Sequence, residues 1–127
     1  MNILIIDDDK FVTRTLEDSL STHGHAVEVI NKSSQIKDNV SIVKDYDCVI
    51  LDLMMRSFPG LELLPGEETG EGIFRMIKRY DKNKPVIVIT GKDLSDIKTK
   101  FSKTKTQVIL KPFSSRLSEI YEAINNV

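Results

Sequence analysis

Tryptophan is absent, cysteine occurs once, aromatic residues make up 6% of the 127 positions, and no uninterrupted apolar run exceeds four residues. Each scarcity removes a class of protein. One cysteine cannot close an internal disulfide, so the chain is not a small cystine-stapled secreted scaffold, and a reducing cytoplasm is its expected setting. A bilayer span needs about 20 apolar residues. The first residues also lack the basic stretch and apolar core of a signal peptide, so neither a membrane anchor nor a leader is expected. An excess of one charge is missing too: 18 basic against 19 acidic side chains leave −1. That balance argues against a dedicated DNA clamp or membrane-surface binder. The length predicts one domain, residues 1–127, with one core.

What is present is a regular alternation. Short runs rich in Ile, Val and Leu at Ile3–Ile6, Val49–Leu51, Val86–Ile89 and Val108–Leu110 read as parallel strands buried on both faces. Ala26–Ile30 carries Glu28 in its middle and reads as a strand at a sheet edge. Between them the apolar period becomes helical: Val12, Leu16 and Leu20; Ile36, Val40 and Val43; Ile73, Phe74 and Ile77; Leu94, Ile97 and Phe101; Leu117, Ile120, Tyr121 and Ile124. Five strands alternating with five helices predict an α/β fold: a doubly wound five-stranded parallel sheet in the order 2-1-3-4-5. Successive strands start about 22 residues apart, with one wider gap before Val86. The extra material, Arg56 to Thr69, holds Pro59, Gly60, Pro65 and Gly66 and reads as a loop.

In such a sheet, ligands bind beyond the carboxyl ends of the strands where the strand order reverses. The first strand ends in Asp7, Asp8 and Asp9, the third in Asp52, the fourth in Thr90 and Gly91, and the fifth in Lys111 and Pro112. Converging carboxylates repel one another unless they share a cation. Oxygen-only donors suit Mg²⁺, with Mn²⁺ the alternative, and no His or Cys stands at these strand ends to favour zinc. A carboxylate can be the nucleophile toward phosphorus once a metal and an ammonium neutralise the transferring group. Asp52 stands alone at the end of a central strand. Asp7 and Asp8 are beside it for a metal, Lys111 offers a compact phosphate partner, and the Thr90 hydroxyl can donate a hydrogen bond.

The segments ILIIDDD, CVILDLMM, VIVITG and VILKPF, in this order along the whole chain, resemble the receiver domains of two-component response regulators, as in the chemotaxis regulators, whose fold is flavodoxin-like. The resemblance implies a phosphorelay switch in which Asp52 accepts a phosphoryl group from a histidine kinase or phosphotransfer protein. It implies Mg²⁺ held directly by Asp8 and Asp52, through water by Asp7, and by the backbone carbonyl of Met54. Thr90 and Lys111 would hold the phosphoryl oxygens, and the Lys111–Pro112 peptide would be cis. Such a domain catalyses only its own phosphorylation and dephosphorylation, and is not a turnover enzyme. Three features depart from the family. Arg56 takes the place of a proline, lengthening the loop and leaving Gly70 as the matching glycine. Val108 stands where a Tyr or Phe is usual. Met54 and Lys92 occupy the positions that tune phosphate lifetime, and neither can position an attacking water, which points to a long-lived aspartyl phosphate.

Rival readings stand beside this one. A degenerate receiver would bind a partner without phosphate. A haloacid-dehalogenase-type phosphatase needs Asp-x-Asp after a strand, but Leu53 and Met54 follow Asp52, and Asp7-Asp8-Asp9 is followed by Phe11 where a small residue belongs. Asp9 reads as a helix cap. Cys48 and Phe113 read as packing residues, Met54 and Met55 as lining or core, and His23 and His25 as exposed loop residues. From Lys82 to Lys111, eight lysines against two aspartates give a local net of +6. This reads as a solvated face, or as a docking surface for an unknown downstream protein on the fourth helix, fifth strand and fifth helix.

Overall fold

The computed structural model describes residues 1–91, 94–101, 104, 106–111 and 117–127, with the backbone alone at 94 and 95. Strands β1 (Asn2–Ile6), β2 (Ala26–Ile30), β3 (Cys48–Asp52), β4 (Val86–Thr90) and β5 (Gln107–Leu110) form one parallel sheet in the order β2-β1-β3-β4-β5. The doubly wound α/β order expected from the alternation is the one observed. Successive strand residues point to opposite faces, so β1 sends Leu4 and Ile6 to one apolar layer and Ile3 and Ile5 to the other. Helices α1 (Lys10–Thr22) and α4 (Leu117–Asn125) cover the second layer through Leu16, Leu20, Ile120 and Ile124. Helices α2 (Thr69–Tyr80) and α3 (Leu94–Lys100) cover the first through Ile73, Ile77 and Ile97.

Two expectations require correction. The segment expected to be the second helix forms two 3₁₀ turns, η1 (Ser33–Ile36) and η2 (Val40–Asp45). Ser33, Ser34, Asn39 and Ser41 compete with the helical backbone for hydrogen bonds, and Val40, Ile42 and Val43 are β-branched, so an α-helix has little local support. A three-residue period still aligns buried Ser33 with Ile36. The second correction concerns β5. Its composition predicts burial on both faces, yet only Ile109 is buried, because β5 is the other edge of the sheet. The alternating β2 is an edge, as expected, with Glu28 exposed.

The loop expected from Arg56 onward is a loop, and α2 begins at Thr69. It is anchored by its own residues: Phe58 is buried. The Arg75 guanidinium donates to both carboxylate oxygens of Glu67 and to the Glu62 carbonyl, and Lys100 of α3 pairs with Glu71 at 2.9 Å.

The start of α2 lies directly on the end of β3. Gly70 donates its N–H to the Leu53 carbonyl at 2.9 Å, and a Cβ on Gly70 would stand 2.2 Å from the Asp52 carbonyl oxygen. Backbone cannot yield there as a side chain can. Gly70→Ala is therefore expected to cost about 3 kcal/mol in urea unfolding. Gly72→Ala, whose Cβ would meet the end of the Leu63 side chain at 2.6 Å, should cost clearly less. Equal costs would show that α2 is free to move away from β3.

Candidate functional site

The pairing register brings the polar strand ends together. Ile6 is opposite both Ile30 and Leu51, Asp52 opposite Ile89, and Thr90 opposite Leu110, so residues 7, 52, 90 and 111 emerge at one edge of the sheet. One carboxylate oxygen from each of Asp7, Asp8 and Asp52 lies within 4.8 Å of the others. Lys111 Nζ reaches in from β5, 2.8 Å from Asp7 Oδ2 and 3.4 Å from Asp52 Oδ2. Thr90 is wholly buried at the end of β4, and its carbonyl accepts from Lys111 N–H at 2.8 Å. The expected acidic residues, the lysine and the threonine thus converge on one crevice.

Backbone donors orient the carboxylates. Asp7 Oδ1 accepts from Asp9 N–H at 2.9 Å, Asp52 Oδ1 from Met54 N–H at 3.2 Å, and Asp8 Oδ2 from Arg56 N–H at 3.1 Å. Asp9 caps α1, accepting from Phe11 and Val12 N–H. Two supports escaped the sequence reading. Asn31, just past β2, donates to the Asp7 carbonyl and to Thr13 Oγ1, tying the end of β1 to α1. Ser33 donates to the Arg56 carbonyl at 2.5 Å, holding the start of the long loop beside Asp8. An Asn directly after an edge strand was the available signal for the first; nothing local marks the second.

The other expected residues are placed as follows. Met55 is buried in the core, while Met54 is half exposed. Cys48 is buried, and burial pushes its thiol up to about 11, so it packs as an apolar group. His23 is exposed and stacks on Tyr121, whereas His25 is half-buried beside the N-terminal amine, a correction to its reading as exposed. Val108 is half-buried against the core layer beneath α3. Lys92, Pro112 with its peptide bond, Phe113 and the Leu94 side chain lie outside the described residues. The lysines from 82 to 111 do not share one face. Lys84 is buried, Lys111 is in the crevice, and Lys98 and Lys100 are exposed on α3.

Charge at this site is poorly balanced. Burial, then repulsion from Asp7, raises the Asp52 carboxyl to about 6 against the opposing pull of Lys111. Burial pulls the Lys111 ammonium down, but its contacts with Asp7 and Asp52 outweigh that and hold its pKa above the ordinary value. Asp7 Oδ2 is fully buried and, although close to Lys111, accepts no well-directed hydrogen bond among the described residues. Among the described residues no second cation reaches these atoms. Two oxygens on one Mg²⁺ sit at most about 4.2 Å apart, so the observed spacing needs only a small closure, or one contact through water. The oxygen-only donor set fits a hard divalent ion.

Because the folded Asp52 holds its proton more tightly than the unfolded chain does, stability in chelator falls as pH rises through the interval between its ordinary value of 3.8 and about 6. Asp52→Asn removes that penalty. In metal-free buffer near neutrality it should be more stable than the parent by roughly 1–3 kcal/mol, the difference vanishing near about pH 4. Urea melts at both ends of that range measure it. A less stable Asn variant near neutrality would mean that Lys111 already neutralises the site.

Against known families, the response regulator receiver domain matches residues 3–125. Response regulator ArlR of Staphylococcus haemolyticus is 32% identical over 127 residues, spanning 99% of this chain and 52% of its own length. Response regulator MprA of Mycobacterium avium is 30% identical over 93 residues, 73% of this chain and 36% of that protein. This chain therefore spans about half, or less, of the length of these curated relatives. Among solved structures, response regulator TrrA of Thermotoga maritima in complex with Mg²⁺ and BeF superposes with a TM-score of 0.74 at 20% identity, over 98% of this chain and 96% of that one. That likeness concerns the fold. The family match across nearly all the sequence, with the acidic crevice at the switch point of the sheet, establishes that this chain belongs to the receiver domains of two-component response regulators.

Proposed function

We propose that residues 1–127 act as a single receiver domain whose phosphoacceptor is Asp52, charged by a phosphohistidine on a histidine kinase or phosphotransfer protein. The observation that carries this reading is the convergence of the Asp7, Asp8 and Asp52 carboxylates with the Lys111 ammonium in one crevice. In the reaction, an Asp52 carboxylate oxygen forms a bond to phosphorus as the P–N bond to the donor imidazole breaks, the electron pair leaving with nitrogen. Lys111 meets the charge on the transferring oxygens, and Thr90 supplies a hydroxyl donor from the neighbouring strand end. Asp7, Asp8 and Asp52, with the Met54 carbonyl, would hold Mg²⁺, or Mn²⁺ in its place. The ion supplies charge neutralisation and orientation.

Phosphorylation adds up to about two negative charges where charge is already in excess. Lys111 must then trade its contact with Asp7 for one with the phosphoryl group. Thr90 is drawn the same way, biasing α3, β5 and α4, the surface we assign to a downstream protein. Among the described residues no helix is long and apolar enough to cross a membrane, and we place the domain in the cytoplasm. Met54, half exposed two residues past the acceptor, has no group to position an attacking water, which favours a long-lived aspartyl phosphate. A phosphate-independent binding module is the second reading, favoured by the half-buried Val108, which provides no aromatic switch.

Incubation with Mg²⁺ and a small phosphodonor should give one phosphoryl adduct by intact mass, absent in Asp52→Asn and with chelator. Partner affinity indifferent to phosphodonor, chelator and Asp52→Ala would favour the second reading. Saturating Mg²⁺ alone should stabilise the parent by about 1–3 kcal/mol, and Asp8→Asn should lose most of that gain. A gain unchanged in Asp8→Asn would place the ion elsewhere.

A further inference from the structure

The acidic crevice leaves unexplained a group of cations at the opposite end of the strands. A cavity of about 560 Å³ opens where β4 begins, between α2, the turn before β4, β5 and the end of α4. Lys78, Lys82 and Lys84 line it, with Phe74, Asn83 and Gln107 among its other walls. Lys84 is only 8% exposed, and its ammonium donates to the Tyr46 carbonyl at 2.5 Å. The half-buried Lys78 donates to the Lys84 carbonyl and stands over the Phe74 ring, 5.6 Å from its centre. Lys82 is exposed. Among the described residues no carboxylate lies within ion-pair distance of any of the three, and no acidic side chain lines the cavity.

Such an arrangement is costly. A buried ammonium is normally matched by a carboxylate, because the partial charge of a carbonyl compensates only part of the lost hydration. Burial accordingly lowers the Lys78 pKa, with Asp81 alone opposing it. Among the described residues Asp81 is the one acidic group that acts on Lys78, and none lines the cavity, so three neighbouring cations favour a ligand carrying more than one negative charge. Lysines bind phosphate as compact point charges. The apolar wall adds a place for the non-ionic part of a ligand, and the volume falls within the range of small-molecule sites.

We propose that this cavity binds a phosphorylated organic molecule of nucleotide size. Lys78 and Lys82 hold its phosphates, Lys84 adds positive potential from behind, and its apolar part lies along the Phe74 wall. The site shares no residue with the Asp52 crevice and stands or falls independently of it.

Calorimetric titration of the whole chain in chelator, with inorganic phosphate, pyrophosphate, ADP and adenosine as probes, tests this. Without metal the acidic crevice repels anions, so it contributes no signal. ADP should bind more tightly than phosphate or pyrophosphate, and adenosine should not bind measurably. Lys78→Met and Lys82→Gln should each weaken ADP by about tenfold, while Asp52→Asn leaves it unchanged. Lys82 is exposed and makes no ion pair, so its variant remains informative even if Lys78→Met unfolds the chain. Absence of ADP binding, or the same affinity in Lys82→Gln, overturns the proposal. So does phosphate binding as tightly as ADP, or an RNA oligonucleotide outcompeting ADP, which would make this a nucleic-acid surface.

Discussion

Repulsion among carboxylates held too close together is the constraint around which this molecule is organised. Asp7 and Asp52 are almost fully buried, their oxygens and one from Asp8 lie within 4.8 Å, and a single ammonium is shared between the first two. Lys111 alone does not restore an ordinary acidity to Asp52. Among the described residues the crevice therefore carries a local deficit of positive charge, set against the stability of the sheet. A divalent cation would relieve it, and on the proposed reading a phosphoryl group would then redistribute it. On that reading, binding and reactivity would share one imbalance.

The fold is what can sustain such a deficit. Strands β1 and β3 are central, buried on both faces, and fixed by pairing on both sides. Asp7 directly follows β1 and Asp52 is the last residue of β3, so the two cannot drift apart to reduce their repulsion. Around them, backbone N–H groups of residues 9, 54 and 56 orient the carboxylates, Asn31 braces the end of β1, and α2 is pressed against β3 at Gly70. The long loop adds to this frame at one end. Its first residue donates to Asp8, while its far part is fastened to α2 through Arg75 and Glu67. Because Lys100 of α3 pairs with Glu71 at the start of α2, the surroundings of Asp52 are physically continuous with α3, part of the face proposed for output.

At the other end of the strands the imbalance has the opposite sign. Lys78 and Lys84 are withdrawn from water with carbonyls as partners. The chain is nearly neutral as a whole, so its electrostatic character lies in this separation of charge. Net composition conceals it.

Much of this was legible in the residue order. Buried strands must be apolar on both faces, so their positions stood out. Polar residues that interrupt the runs at their carboxyl ends fall at the ligand-binding edge of a parallel sheet, which marks Asp7, Asp8, Asp52, Thr90 and Lys111 in the sequence itself. Other features depended on distance between residues remote in sequence. The 3₁₀ turns replaced an expected helix because packing of Ile36 and Val43 decided a segment with weak local preference. The edge position of β5 exposed part of a strand whose composition reads as buried. Lys84, one lysine among many in the sequence, became a buried cation only when the turn before β4 folded beside Tyr46. Periodicity and residue type are local and survive in the sequence, so they determined the element order and the chemical set of the crevice. Burial, proximity and the resulting shifts in charge are properties of contacts across the chain, and only the tertiary structure decided them.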